Sequence, residues 1–399
     1  MKAEGDAVSG GRGSRPAAPA SGVSTRAVHA GAGPRVPNAP VVGEIVQSAT
    51  FFTEPEPSGE VRYTRYGTNP VHLRLGAKLA SLEGAEAAIV LASGNAAMAL
   101  ALLSCVGAGD HVVAASQLYG GTTRLLRREL PRLGIDVVFI EGDDWAGALT
   151  ARTRALLIEM PTNPTLRVPD PRPIAALAKR HGIALLVDAT FATPVNFRPL
   201  EHGADLVIHS ATKYLGGHSD LTAGVVAGRA DLVAEVREKL ISFGPVLDPH
   251  AGWLLERGIK TLGVRVERQN ASAQAIAERL AAHPAVLRAV YPGLPSHPDH
   301  ALARELFSGY GGVVSMVVRG GDRSALDVLA RLKVMSTAPS LGGVETLVSM
   351  PRFTSHVALE REERLRLGID DGFVRIAVGV EDVDDLIADL DQALEAVAT

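Results

Sequence analysis

The chain has 399 residues, 46% apolar and 21% charged, with acids and bases interspersed to a net charge of −4. That composition suits a globular protein with a sizeable core and roughly two domains. The absence of a basic block argues against nucleic acid or an anionic membrane as partner. The single cysteine, Cys105, excludes an intrachain disulfide; its apolar neighbours make it an inert core thiol, which fits a reducing cytoplasm.

Residues 1–24 are rich in Gly, Ala, Ser and Pro without an apolar run, and are expected to form a disordered tail. They lack the apolar stretch of a secretory signal, and Glu4 and Asp6 argue against a transit peptide. Segment 87–106 runs for twenty residues without a charge, but Ser93-Gly94-Asn95 divides it into a β-like run and an Ala/Leu-rich helix. A membrane span is therefore not expected.

From 87 to 227, apolar runs at 87–92, 111–115, 136–140, 155–159, 183–187, 205–208 and 223–227 read as buried strands. Helical patterns lie between several of them, at 96–105, 122–133 and 171–180. The alternation predicts an α/β fold with a mainly parallel, seven-stranded sheet and helices on both faces. Ligands bind such sheets at the carboxyl ends of the strands. One long helix over 254–280 reads as a connector to a smaller C-terminal α/β unit. That unit has strands at 285–290, 312–318 and 373–378 and helices at 325–332 and 383–397.

The residues able to do chemistry sit at strand ends. Lys213 lies in Ser210-Ala211-Thr212-Lys213-Tyr214, after the apolar run 204–208. It offers an amine able to form a Schiff base, with two hydroxyls able to bind phosphate, and pyridoxal phosphate needs both. Asp188 closes the preceding strand; it could pair with a pyridinium nitrogen, although an aspartate at a strand end more commonly caps a helix or a turn. The turn Ser93-Gly94-Asn95 opens a helix whose N–H groups favour an anion. Tyr119, before Gly120-Gly121, could stack on a flat ring and move a proton, or simply anchor its loop. Asn163, in Met160-Pro161-Thr162-Asn163-Pro164, could bond a ring hydroxyl. Arg375, a charge inside an apolar strand pattern, suits a substrate carboxylate or an internal salt bridge. The histidines show no metal-ligand spacing, so no metal site is expected.

Taken with Tyr63-Thr64-Arg65, Leu91-Ala92-Ser93-Gly94, Leu118-Tyr119-Gly120-Gly121, Val187-Asp188-Ala189-Thr190-Phe191, Tyr291-Pro292-Gly293-Leu294-Pro295-Ser296-His297-Pro298 and Ser340-Leu341-Gly342-Gly343, the chain resembles one enzyme family. It is the Cys/Met-metabolism pyridoxal-phosphate family, the cystathionine γ-synthase and γ-lyase group of fold type I. The matching stretches run in family order from about Val42 to the C-terminus.

The resemblance implies roles. Lys213 would hold the cofactor and shuttle protons between Cα, Cβ and Cγ, Asp188 would pair with the ring nitrogen, and Tyr119 would stack and assist the leaving group. Gly94, the Asn95 backbone, Ser210 and Thr212 would bind phosphate. Tyr63 and Arg65 would reach the phosphate of a neighbouring subunit, making a homodimer or homotetramer with shared active sites. Arg375, Ser340 and Asn163 would receive the substrate carboxylate. The implied organisation is a tail (1–24), an intersubunit arm (25–62), a cofactor domain (63–255) and a C-terminal domain (256–399).

The implied reaction loses protons from Cα and Cβ and expels a group from Cγ. Thiol addition then gives γ-replacement, and loss of ammonia gives γ-elimination. Two departures bear on substrate. The run Arg65-Tyr66-Gly67-Thr68-Asn69-Pro70-Val71 is one residue longer than usual and lacks the family's threonine. Pro339 stands where many cystathionine enzymes place a glutamate, and Gly121 where methionine γ-lyases usually have cysteine. The stretches around Pro339, Thr190 and Gly312 look most like plant-type cystathionine γ-synthases. The expectation is γ-replacement on an O-acylhomoserine, with cystathionine or methionine γ-lyase activity as the alternative. From another class, the alternative is a non-catalytic binding protein of the same fold.

Overall fold

The structure, a computed structural model, describes residues 21–33, 36–56, 61–357 and 359–397. The expectation for residues 1–20 lies outside them. At Val23 the expected tail has already become helix α1 (Val23–His29), two residues inside the sequence boundary. The reason is packing: Ala27 is buried, and the Lys78 ammonium donates to the carbonyls of Ala27 and Val28 at 2.9 and 3.3 Å.

Helix α2 (Pro70–Glu83) was not apparent from periodicity, yet its ends are well specified. The Asn69 side chain accepts from the Val71 N–H, Pro70 occupies the first turn, and Gly84 closes the helix at φ +70°. The lengthened run after Arg65 is thus spent on a left-handed turn at Gly67 (φ +71°) and this cap.

Seven strands form one sheet: β1 (Ala87–Leu91), β2 (His111–Ala115), β3 (Asp136–Ile140), β4 (Thr153–Glu159), β5 (Ala184–Asp188), β6 (Leu206–Ser210) and β7 (Gly224–Gly228). Their order is β1-β7-β6-β5-β4-β2-β3. Only β7 runs antiparallel to its neighbours. The charge-free segment splits where expected: Ser93 caps helix α3 (Gly94–Cys105) by accepting from the Ala96 N–H. Apolar side chains on both faces are sealed by helices, giving separate cores around Leu102 and Leu157 and around Leu156 and Val187. The helix expected at 122–133 is a helical run from Gly120 to Arg132 interrupted by a π-helical segment, Leu125–Glu129.

The expected single connector is two helices, Pro249–Ile259 and Leu262–Ala281. They part at Thr261, whose N–H turns back to the Gly258 carbonyl. Gly258 is pressed against the Gly216 carbonyl, where a Cβ would come within 2.1 Å, so the first helix is pinned before the second begins. Beyond them lies a five-stranded sheet of β8 (Val286–Val290), β9 (Val313–Val318), β10 (Ser336–Thr337), β11 (Leu347–Ser349) and β12 (Phe373–Ala377). Its order is β10-β11-β12-β9-β8. The short strands β10 and β11 carried too few residues to show a period. No helix among the described residues is long and apolar enough to cross a membrane.

Candidate active site

Three strand ends lie next to one another in register: Glu159 of β4 pairs with Asp188 of β5, and Asp188 with Ile208 of β6, two residues before Ser210. A cavity of about 660 Å³ opens over them. Its lining brings together Gly94, Asn95, Tyr119, Asn163, Asp188, Ser210, Thr212, Lys213, Ser340 and Arg375. A larger groove of about 890 Å³, at Cys105, Lys179 and Arg229, lies by the opposite ends of the strands and gathers none of them.

Lys213 Nζ donates to Ser340 Oγ at 2.6 Å. Burial, and secondarily the charge of Arg375, push the amine down to about 8. Arg375, in the middle of β12, donates through Nη1 to Asn163 Oδ1 at 3.1 Å and through Nη2 to the Ser340 carbonyl at 2.8 Å. Its Nε is buried with no hydrogen-bond partner among the described residues. Burial lowers Arg375 to about 10, and no carboxylate among the described residues forms a salt bridge with it. A guanidinium held this way by neutral acceptors is ready for an anion.

At the other side, Asp188 Oδ1 accepts from the Thr190 N–H at 3.0 Å and the Thr190 hydroxyl at 2.5 Å. The same hydroxyl accepts from the Ser210 N–H at 2.9 Å, tying the acid to the turn that opens the run Ser210–Lys213. Glu159, next to Asp188, accepts from the N–H groups of Tyr119 and Asn163, each at 2.7 Å. Burial raises both acids, and Asp188 raises Glu159 further. Two neighbouring carboxyl groups buried together gain from a cation placed beside them.

These features fit pyridoxal phosphate. A protonated ring nitrogen would supply the cation that the Asp188–Glu159 pair lacks. The phosphate would meet the start of α3, where Gly94 packs so closely on Ser210 that a Cβ would lie 2.7 Å from the Ser210 Cβ. Lys213, Tyr119 and Asn163 line the same cavity.

Tyr63 and Arg65 do not line the cavity. The Arg65 guanidinium donates to the Ile241 carbonyl at 2.8 Å and sits 5.4 and 4.9 Å from the Tyr63 and Tyr66 ring centres. The sequence reading missed Glu159, Thr190 and the wall Phe353-Thr354-Ser355. Glu159 had a signal, an acid closing an apolar strand as Asp188 does; the wall had none.

Sheet order and site together define a fold type I pyridoxal-phosphate enzyme. The chain belongs to the Cys/Met metabolism PLP-dependent enzyme family, whose sequence profile matches residues 24–395. It is 44% identical over 339 residues to cystathionine gamma-synthase 1, chloroplastic, of Arabidopsis thaliana, covering 84% of this chain and 60% of that one. To cystathionine gamma-lyase of Bacillus subtilis it is 42% identical over 357 residues, covering 88% and 94%. The solved cystathionine gamma-lyase of Micromonospora echinospora superposes with a TM-score of 0.89 at 38% identity, covering 94% of this chain and all of that one.

Proposed function

We propose that this enzyme catalyses γ-replacement, transferring the homoserine skeleton of an O-acylhomoserine to the thiol of cysteine. One observation carries the choice of donor. The only carboxylates lining the cavity among the described residues are Glu159 and Asp188, and both accept hydrogen bonds from neighbouring loops. With Pro339 in the wall, no acid among the described lining residues is free to receive an ammonium at the far end of a substrate, whereas an acyl group carries no ammonium to be met.

Pyridoxal phosphate, when bound, withdraws electrons from the amino acid's Cα and so makes its proton removable. Arg375, held by Asn163 and Ser340, would fix the substrate carboxylate. Lys213, once displaced, would take the Cα proton as a free amine and return protons along the chain; Ser340 Oγ, an acceptor for its N–H, would keep it on that side. Tyr119, 42% exposed at the cavity wall, would donate to the departing acyl oxygen. Tyr63 and Arg65, turned away from their own cavity, would serve a partner's in a homodimer or homotetramer. A cytoplasmic setting is supported by the lone Cys105, which burial pushes up to about 11.

The second reading, γ-elimination, draws support from the 42% identity to the Bacillus lyase. Offering O-succinylhomoserine, O-acetylhomoserine, cystathionine and methionine separately, with and without cysteine, decides between them. Cystathionine formed from an acylhomoserine is expected. Dominant 2-oxobutanoate from cystathionine or methionine, with no cystathionine from either acylhomoserine, would sink the synthase reading.

A further inference from the structure

Tyr119 and Asn163 belong to loops that follow different strands, β2 and β4, yet one side chain joins them. Glu159, the last residue of β4, is 4% exposed. Its Oε2 accepts the Tyr119 N–H and its Oε1 the Asn163 N–H, each at 2.7 Å. Asn163 passes the connection on, since its Oδ1 accepts from Arg375 Nη1 at 3.1 Å. A buried carboxylate beside Asp188 is costly, and packing alone would be met by a neutral side chain. Two amides converging from opposite sides need two acceptor oxygens, which a carboxylate has and a carboxamide lacks.

We propose that Glu159 is a positioning residue that holds the ring-stacking Tyr119 and the carboxylate clamp Asn163–Arg375 in one fixed register across the pocket. The inference rests on the site assigned above, and it adds a single link through which a shift at the stacking face reaches the substrate clamp.

Amide hydrogen exchange on the wild-type holoenzyme tests the link without turnover. The Tyr119 and Asn163 amides, although in loops, are expected to exchange as slowly as those of β4; fast exchange at both would overturn the proposal. Glu159→Gln, which keeps the volume and removes one acceptor, is expected to raise KM for the amino-acid donor about tenfold and to shift the cofactor's absorbance. The KM effect should shrink in an Asn163→Ala background, because the clamp is already lost there. Unchanged KM and spectrum in folded Glu159→Gln, or effects that simply add to those of Asn163→Ala, would leave Glu159 a packing residue. If Glu159→Gln fails to fold, the wild-type exchange decides. Slow exchange with no turnover of any donor would retire the reaction proposed above and leave this link standing.

Discussion

Lys213 Nζ lies 2.6 Å from Ser340 Oγ, and the carbonyl of the same serine accepts from Arg375 at 2.8 Å. Ser340 holds φ +95°, a backbone conformation rare for a residue with a side chain. Such a placement costs about 1–3 kcal/mol and persists only where the surroundings impose it. Here it turns one residue toward both the amine and the guanidinium, so the proposed cofactor anchor and the proposed substrate clamp meet at a single residue.

The buried amine sets a pH dependence. Lys213 is pushed down to about 8 by burial and by Arg375, and only the free amine attacks an aldehyde. Attachment of pyridoxal phosphate to apoenzyme should therefore accelerate through a midpoint near pH 8, well below the 10.5 of an ordinary lysine. The linkage to folding has a definite sign. Below pH 8 both folded and unfolded chains carry the proton, and the folded state bears the full burial penalty. Between 8 and 10.5 the unfolded chain holds a proton that the folded chain has lost, so apoenzyme stability rises with pH. Lys78 titrates in the same window, so the difference between wild type and Lys213→Met in denaturant titrations isolates the effect. A pH-independent difference would contradict it.

Arg375→Ala should cost about 1.5–3 kcal/mol of substrate binding, a rise in KM of roughly 10- to 150-fold. Arg375→Lys should recover only part, because a point charge cannot reach Asn163, Ser340 and a carboxylate together. Steady-state kinetics with an O-acylhomoserine checks both. The cofactor spectrum of each variant should stay close to that of the wild type.

Gly121 is where Tyr119 gains its room. A Cβ there would lie 2.4 Å from Tyr119 Cε1 and 3.1 Å from Asn95 Oδ1. Gly121→Cys must therefore turn the tyrosine ring, with an overpacking cost of about 1–3 kcal/mol. Lower kcat/KM and an altered cofactor spectrum are expected, measured by kinetics and absorbance. A wild-type spectrum would show that the ring has other space.

Mixing inactive Lys213→Ala and Arg65→Ala subunits tests whether sites are shared. In a hybrid dimer one site has an intact lysine and an intact arginine from opposite chains, so random pairing should restore about a quarter of the wild-type activity. No recovery after subunit exchange would confine Arg65 to its own chain.

Much of this was legible because it depends on local pattern. All seven strands of the large sheet start and end within two residues of the apolar runs, and Asp188, Lys213 and Asn163 reach one cavity because parallel strands end on one edge. What could not be read depends on contacts distant in sequence. The break before Leu262 is imposed by Gly216 against Gly258, and helix α1 is fixed by Lys78. Glu159 ended a strand as Asp188 did, but its task appears only when the loops of Tyr119 and Asn163 fold onto it.

The most direct test reduces the holoenzyme with borohydride and maps the modified peptide by mass. Native enzyme should absorb at about 420 nm, as expected for a protonated Schiff base, and reduction should leave the pyridoxyl group on Lys213 alone. A label on another lysine, or no label in protein that shows the band, would contradict the assignment of this cavity as the cofactor site.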